Sequence, residues 1–240
     1  MPKRPRLRAL ADLLAEAHPG LDVPEAIGNR LVIVDGRTAT NPASVVRADV
    51  VIAIRADTDE ALRGEAKLAG ALEEFRVAVD GRIALDLGAA AGGFTRVLLR
   101  AGASRVYAVD AGHGQLLGSL RQTPAVVNLE RTNLGELSQA LVPDPIDLVT
   151  ADLSYISLTK ALPQLEGRIS LAAGADLLAL VKPMFELALP EPPVDEPTLA
   201  EAVERAAAGA TAAGWTVKGT CESPVTGTRG SVEFLLHACR

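Results

Sequence analysis

The chain has 240 residues, of which 48% are hydrophobic, 3% aromatic and 22% charged, and its formal net charge is −6. This composition is typical of a globular protein with an aliphatic core, and the acidic balance argues against nonspecific coating of nucleic acid. Two cysteines are too few for a disulfide framework or a metal cluster, and no apolar run approaches the ~20 residues that span a bilayer. We therefore expect a cytoplasmic protein without a metal site or a membrane segment.

The first 55 residues have the pattern of a small α+β module. Apolar residues at three- and four-residue spacing predict a helix over 6–18. Runs rich in β-branched residues at 31–34 and 50–54, with an Asp-Gly turn at 35–36, predict a hairpin. The start of the chain is basic, and it is either a solvated terminus or an arm that contacts RNA. Its positive charges are Lys3, Arg4, Arg6 and Arg8.

Beyond a polar stretch at 55–60 and a predicted helix ending near Phe75, strands and helices alternate from residue 82 onward. This alternation predicts an α/β domain with a parallel, doubly wound sheet of seven strands, with a Pro-rich surface loop at 186–197. The predicted strands are 82–87, 105–109, 125–129, 146–151, 177–182, 215–221 and 232–238. The predicted helices are 93–101, 115–121, 135–141, 155–165 and 196–213.

A glycine-rich turn after the first of these strands is the most informative local feature. An apolar run at 83–85 leads into Asp86, then into a turn with Gly88, Gly92 and Gly93, and then into a predicted helix. Such a turn can cradle a dinucleotide or S-adenosylmethionine, because glycine allows close approach of the backbone and the helix start offers free N–H groups. The G-x-G-x-x-G pattern is absent, and an acidic residue before the turn suits an α-ammonium group. The turn therefore predicts a methyl-donor site, and seven strands suit a Rossmann-like methyltransferase sheet.

Charged residues follow or end four of the predicted parallel strands. In open α/β sheets, ligands bind beyond the carboxyl ends of the strands, where the strand order reverses. An acidic residue at the end of the second strand can accept both hydroxyls of a ribose. Each residue taken singly is equally well a solvated charge, whereas four at one edge indicate a site. They are Asp86, Asp110, Asp152 and Lys182.

A second lysine and a second carboxylate complete a candidate catalytic set. Lys182 follows an apolar strand, and such an amine, once desolvated and near another cation, can take a proton from a hydroxyl. Lys67 lies on the helix upstream of the sheet and supplies that cation, while Asp152 and Glu233, the latter on the last strand, can orient both amines. A Lys–Asp–Lys–Glu set suits deprotonation of a ribose 2′-hydroxyl.

Seven segments in chain order carry a family resemblance and together cover most of 60–240. They are Arg-Gly-Glu-Ala-Lys-Leu at 63–68, Asp-Leu-Gly-Ala-Ala-Ala-Gly-Gly-Phe-Thr at 86–95, Val-Asp-Ala-Gly-His-Gly-Gln-Leu at 109–116, Leu-Glu-Arg-Thr-Asn at 129–133, Asp-Leu-Ser-Tyr-Ile-Ser-Leu at 152–158, Leu-Val-Lys-Pro-Met-Phe-Glu at 180–186 and Gly-Ser-Val-Glu-Phe-Leu-Leu at 230–236.

These segments resemble the TlyA-type (hemolysin A family) ribosomal RNA 2′-O-methyltransferases, which are related to the FtsJ-like ribose methyltransferases. The resemblance implies an S4-like RNA-binding module at 1–57, divergent here, and an FtsJ-like domain at 61–240. It also implies S-adenosylmethionine as cofactor and ribosomal RNA or ribosomal subunits as partner. The implied catalytic residues are Lys67, Asp152, Lys182 and Glu233. The implied cofactor-binding residues are Asp86, Gly88, Ala89, Ala90, Gly92, Gly93, Phe94, Asp110, Asn133 and Asp152.

The leading hypothesis is thus a ribosomal RNA 2′-O-methyltransferase that uses S-adenosylmethionine, and two alternatives stay open. An O-methyltransferase of a small hydroxylated molecule agrees with the acidic balance and the divergent first module. An RNA- or ribosome-binding factor without turnover shares the fold, although the intact lysine–carboxylate set argues against it. Binding of RNA and binding of the methyl donor distinguish these three hypotheses.

Overall fold

The chain divides into a smaller and a larger unit. The computed structural model describes residues 7–19, 23–28, 31–54, 59–227 and 230–240. The smaller unit comprises Met1–Asp59 together with Leu117–Thr123, and the larger comprises Glu60–Leu116 together with Pro124–Arg240.

Among the described residues, the smaller unit combines three helices, of which the third is the short helix Gly118–Arg121, with two antiparallel sheets. Helices α1 (Leu10–Ala17) and α2 (Val23–Gly28) contribute Leu10, Leu14 and Ile27 to its buried apolar core. The strands are β1 (Leu7–Ala9), β2 (Val32–Val34), β3 (Arg37–Thr38), β4 (Val45–Arg47) and β5 (Ile52–Ile54); β1 pairs with β4, and β2 lies between β3 and β5.

Two local predictions for this region are wrong. The helix predicted over 6–18 begins only at Leu10, because Leu7–Ala9 pair with β4 instead. The Asp-Gly turn exists, with positive φ at both residues, yet it leads from β2 to the short β3; β5 pairs with the other side of β2.

Of the basic residues near the start of the chain, Arg8 forms an ion pair with Glu16. Lys3, Arg4 and Arg6 lie outside the described residues.

The larger unit is built on a seven-stranded sheet. Its strands are β6 (Ile83–Leu87), β7 (Arg105–Asp110), β8 (Val126–Glu130), β9 (Ile146–Ala151), β10 (Leu171–Val181), β11 (Thr216–Glu222) and β12 (Phe234–Cys239). They lie in the order β11-β12-β10-β9-β6-β7-β8. The five neighbours β10, β9, β6, β7 and β8 run parallel, whereas β12 runs antiparallel to both β10 and β11. The predicted α/β, Rossmann-like sheet of seven strands is therefore confirmed, but the sheet is mixed and not wholly parallel as predicted.

The helices agree with the predictions less well than the strands. Glu130 accepts hydrogen bonds from the N–H groups of Gln115 and Leu116, so the helix predicted from 115 starts only at 118. The helix predicted over 135–141 is wrong, since only a 3₁₀ turn at Leu134–Glu136 forms there. The helices are α3 (Asp59–Phe75), α4 (Gly93–Arg100), α5 (Gly118–Arg121), α6 (Leu158–Ala161, continued by a 3₁₀ turn at Leu162–Leu165), α7 (Pro183–Glu186) and α8 (Glu196–Ala212).

Both faces of the sheet are covered by apolar layers. Because side chains alternate along a strand, Leu85 and Leu87 of β6 face one layer, which includes Ala206 and Ala210 of α8. Ala84 faces the opposite layer, which α3 and α4 complete. No helix among the described residues is long and apolar enough to cross a membrane.

Candidate active site

A cavity of about 640 Å³ lies within the larger unit at the carboxyl ends of β6, β7, β9 and β10. The strand order reverses between β6 and its neighbours, so the position agrees with the rule for ligand sites in open α/β sheets. All four predicted catalytic residues border the cavity, as do most of the predicted cofactor-binding residues. These last are Gly88, Ala89, Ala90, Gly93, Phe94, Asp110, Asn133 and Asp152.

Two lysines and two carboxylates form one connected cluster at the cavity. Lys182 Nζ lies 2.6 Å from Asp152 Oδ1 and 3.1 Å from Ser154 Oγ. Lys67 Nζ lies 2.6 Å from Glu233 Oε2 and 3.9 Å from Asp152 Oδ2. Asp152 therefore stands between the two amines, and each amine has a carboxylate within ion-pair distance.

The backbone elements explain why these side chains converge. Asp152 directly follows β9, and Lys182 directly follows β10, where it precedes the first turn of α7. Glu233 lies one residue before β12, so its predicted place on the last strand is wrong by one position. Since β12 starts at the edge where the parallel strands end, Glu233 reaches Lys67, which α3 presents from one face of the sheet.

The two lysines differ in exposure to the cavity. The side chain of Lys67 is 7% exposed and that of its partner Glu233 is 6% exposed, whereas Lys182 and Asp152 are 15% and 22% exposed. Lys67 thus forms the buried part of the cluster, and Lys182 is the amine that a substrate can reach.

The glycine-rich turn forms one wall of the cavity. Gly88 and Gly92 adopt φ values of +80° and +95°, and Ala90 adopts +43°. A Cβ atom on Gly88 would come within 2.4 Å of the carbonyl oxygen of Asp152, so glycine is required for the two loops to touch. Gly92, which is buried, lies just before α4 and beneath the cavity wall.

Asp86 lies beneath this wall and not at the cavity surface. It is fully buried, and its two oxygens accept hydrogen bonds from Thr95 Oγ1 (2.6 Å) and Thr150 Oγ1 (3.0 Å). Burial raises the pKa of Asp86 from 3.8 to about 6, and the two hydroxyl hydrogen bonds oppose this rise. The carboxylate thus joins β6, β9 and α4 behind the glycine-rich turn.

Asp110 and Asn133 border the cavity on the side of β7 and β8. Asp110 Oδ1 accepts the N–H of Gly112 (2.6 Å), and Oδ2 accepts the N–H of Ala90 (2.9 Å). Each carboxylate oxygen has a second lone pair, so these bonds still leave acceptor capacity for hydroxyl groups. Asn133 is held by Glu136, whose Oε2 accepts both the backbone N–H and the side-chain amide of Asn133.

Several cavity residues escaped the sequence interpretation. Ser154, which contacts Lys182, lies in the quoted 152–158 segment, and its position two residues after Asp152 was the available signal. Gly64 lies in the 63–68 segment, and a Cβ there would come within 3.4 Å of Gly93 Cα. Among the described residues, no group of three or more His, Cys, Asp or Glu side chains is placed to hold a metal ion.

Known proteins share this sequence and this fold. The model of the FtsJ-like methyltransferase family matches residues 61–240. The 16S/23S rRNA (cytidine-2′-O)-methyltransferase TlyA of Mycobacterium tuberculosis is 45% identical over 219 residues, which cover 88% of this chain and 81% of that protein. A solved structure from Streptococcus thermophilus, which carries a provisional hemolysin name, is 29% identical to this chain, with a TM-score of 0.70. The match covers 98% of this chain and 89% of the Streptococcus thermophilus chain.

A more distant structure shares the fold alone. The S-adenosylmethionine dependent methyltransferase from Mesorhizobium loti is 18% identical, with a TM-score of 0.51, and covers 71% of this chain and 96% of its own. The family match and the M. tuberculosis relative confirm the predicted resemblance and the predicted enzyme class. The chain belongs to the FtsJ-like methyltransferase family.

Proposed function

We propose that this enzyme transfers the methyl group of S-adenosylmethionine to a ribose 2′-hydroxyl of ribosomal RNA. The observation that carries the proposal is the amine of Lys182 at the cavity, 2.6 Å from Asp152 and 3.1 Å from Ser154. The M. tuberculosis relative, named for cytidine-2′-O methylation of 16S and 23S rRNA, supports this choice of acceptor. A ribosomal RNA substrate agrees with the cytoplasmic localisation that the sequence predicts.

The cavity residues fit S-adenosylmethionine. The volume of about 640 Å³ suits a nucleoside ligand, and the close backbone approach at Gly88 leaves a cradle that a side chain would fill. Asp110 offers carboxylate lone pairs for ribose hydroxyls. When bound, this cofactor supplies an electrophilic methyl group on a sulfonium. The residues that would hold it are Gly88, Ala89, Ala90, Gly93, Phe94, Asp110 and Asn133, supported from beneath by Asp86 and Gly92.

Lys182 is the general base in this proposal. Lys67 is the more buried amine, with 7% of its side chain exposed, and it is paired with Glu233, while Asp152 lies 3.9 Å away. Lys182 is the more exposed amine at the cavity, where a substrate hydroxyl can approach it.

The proton balance follows from this assignment. Lys182, as the free amine, would take the proton of the 2′-hydroxyl, and the bound cofactor would supply the methyl group to that oxygen and leave as the thioether, which keeps the electron pair of the sulfur–carbon bond. The product is a 2′-methyl ether, and the ammonium of Lys182 then returns its proton to solvent. Lys67 and Asp152 fix the position and electrostatic environment of the amine throughout.

Presentation of the ribose requires an unstacked nucleotide and an RNA-binding surface. A 2′-hydroxyl within a helix cannot enter a cavity of this kind, so the target nucleotide must turn out of its stack. We assign RNA binding to the S4-like module at 1–57, and the match to the M. tuberculosis relative over 88% of the chain supports this assignment.

Methyl transfer to ribosomal subunits tests the proposal. Small and large subunits that lack the modification are incubated with tritiated S-adenosylmethionine, and the label is mapped on the RNA. We expect label at a ribose 2′-oxygen with the wild type and a rate loss of about 100-fold or more for Lys182→Ala. Lys218→Ala, an exposed lysine of β11, is the matched control and should retain the wild-type rate.

Each other result identifies a different error. An active Lys182→Ala variant would mean that another group is the base. Donor binding without label on either subunit would favour a small hydroxylated acceptor. Failure to bind the donor at all would favour the RNA-binding factor without turnover.

A further inference from the structure

A buried carboxylate outside the proposed catalytic cluster connects the two loops that carry Asp152 and Lys182 of that cluster. Glu186, the last residue of α7, is 3% exposed. One of its oxygens accepts the backbone N–H of Leu158, and the other accepts the hydroxyl of Thr159 at 3.1 Å. Desolvation raises the pKa of this carboxyl, and the hydrogen bonds from Leu158 and Thr159 oppose the rise. A buried carboxylate is costly unless it is bonded in this way, so both contacts stabilise its place.

On one side, Glu186 fixes the loop that follows β9. This loop runs from Asp152 to Ser157, carries both partners of the Lys182 amine, and enters α6 at Leu158. It contains no regular secondary structure, and Tyr155 in its middle has a φ of +72°. Ser157 precedes α6 without a capping hydrogen bond from its own side chain, so the carboxylate of Glu186 supplies the acceptor there.

On the other side, Glu186 is joined directly to Lys182. The backbone N–H of Glu186 donates to the carbonyl of Lys182 at 3.0 Å, and that of Phe185 donates to the same oxygen at 2.9 Å. This single turn, stiffened by Pro183 at its start, transmits the position of Glu186 to the residue that carries the base.

We propose that Glu186 is a positioning residue that holds the 152–157 loop against the 182–186 turn and so keeps the amine of Lys182 between Asp152 and Ser154. This inference rests on the proposed function for its catalytic consequence, although the clamp itself is a property of the fold. Besides this clamp, the two loops meet through the contacts of Lys182 with Asp152 and Ser154 and through the rings of Tyr155 and Phe185, whose centroids lie 5.8 Å apart. Small displacements of catalytic groups slow a reaction strongly, because proton transfer requires close approach.

The test compares Glu186→Ala with Glu186→Gln. Alanine removes both acceptors, so we expect kcat to fall about 10-fold or more while KM for the methyl donor changes by less than about 3-fold. Glutamine keeps a carbonyl for the N–H of Leu158, and its amide can donate to the hydroxyl of Thr159. We therefore expect Glu186→Gln to stay within about 3-fold of the wild-type kcat. Hydrogen exchange at the Leu158 amide should accelerate in Glu186→Ala and not in Glu186→Gln.

A matched variant separates positioning from general loss of stability. Trp215→Phe alters a buried residue at the other end of the sheet, just before β11, and both enzymes are assayed at equal distance below their Tm. The proposal is overturned if Glu186→Ala loses no more kcat than Trp215→Phe, if Glu186→Gln is as slow as Glu186→Ala, or if exchange at Leu158 is unchanged. A wild type that methylates no ribosomal RNA would instead overturn the proposed function, while hydrogen exchange would still decide on the clamp.

Discussion

Two carboxylates toward opposite ends of the central sheet are compensated differently: Asp176 is half-buried, whereas Asp86 is fully buried. Toward the amino ends of β6 and β9, Asp176 lies 2.6 Å from Arg82 Nη1 and 2.7 Å from His237 Nε2. Toward the carboxyl ends, Asp86 is bonded by neutral groups, namely the hydroxyls of Thr95 and Thr150 and the backbone N–H of Thr95. Asp176 is therefore held by ion pairing, whereas the hydrogen bonds of Asp86 come from neutral groups.

Two glycines at the ends of β6 show the same contrast in the backbone. Gly81 and Gly88 adopt φ values of +73° and +80°. A Cβ on Gly81 would meet nothing within 4 Å, whereas on Gly88 it would meet the carbonyl oxygen of Asp152 at 2.4 Å. Of these two glycines, only Gly88 is required by close packing against a neighbouring loop, and that loop carries Asp152 of the cavity.

Asp86→Asn should give the largest change and should stabilise the protein at alkaline pH. Because burial raises the pKa of Asp86 from 3.8 to about 6, the folded state binds a proton more tightly than the unfolded chain in that interval. The wild type therefore loses stability as pH rises through the interval, by up to about 3 kcal/mol. Asparagine removes this titration and can still bond both threonine hydroxyls. We expect the variant to unfold at higher urea concentration than the wild type at pH 8.

Fluorescence of the single tryptophan, Trp215, reports this unfolding between pH 5 and pH 8. The difference between the variant and the wild type should shrink as pH falls from 8 toward 5, since the wild-type carboxyl then becomes protonated. A variant less stable than the wild type at pH 8 would show that the ionised carboxylate gains more from its hydrogen bonds than it loses by burial.

The position of Asp86 illustrates what the sequence pattern could and could not predict. An acidic residue before a glycine-rich turn indicated a ligand-facing carboxylate. Alternation along β6, however, places Asp86 on the same face as Ala84, beneath α4, where Thr95 meets it. Lys182 and Asp152 were predictable because each directly follows a strand, and strand ends of a parallel sheet share one edge. The clamp at Glu186 was not, because it joins residues 28 positions apart with no periodic signal.

Gly88→Ala should impair catalysis, whereas Gly81→Ala should not. Both substitutions place alanine at positive φ, which costs about 1–3 kcal/mol of stability in either case. Only the Cβ at position 88 collides with Asp152, so it must displace either the cofactor cradle or the loop that orients Lys182. We expect kcat/KM to fall about 100-fold for Gly88→Ala and to stay near the wild-type value for Gly81→Ala.

Steady-state methyl transfer, measured with both alanine variants well below their Tm, separates the effect of backbone strain from the effect of the steric collision with Asp152. Equal losses in the two variants would mean that backbone strain alone slows the enzyme. Direct measurement of donor affinity then shows which loop moved, because a displaced cradle weakens binding and a displaced Asp152 lowers kcat.

Asp176→Asn should have the smallest effect and the opposite sign to Asp86→Asn. The substitution removes the negative charge that Arg82 and His237 share, and we expect the free energy of unfolding to fall by about 1–2 kcal/mol at pH 8. Activity should remain within about 2-fold of the wild type, since none of these three residues borders the cavity. Urea unfolding followed by Trp215 fluorescence, together with methyl transfer, measures both quantities. If Asp176→Asn stabilised the protein, as Asp86→Asn is expected to do, the ion pairs of Asp176 would not explain the difference between these two carboxylates.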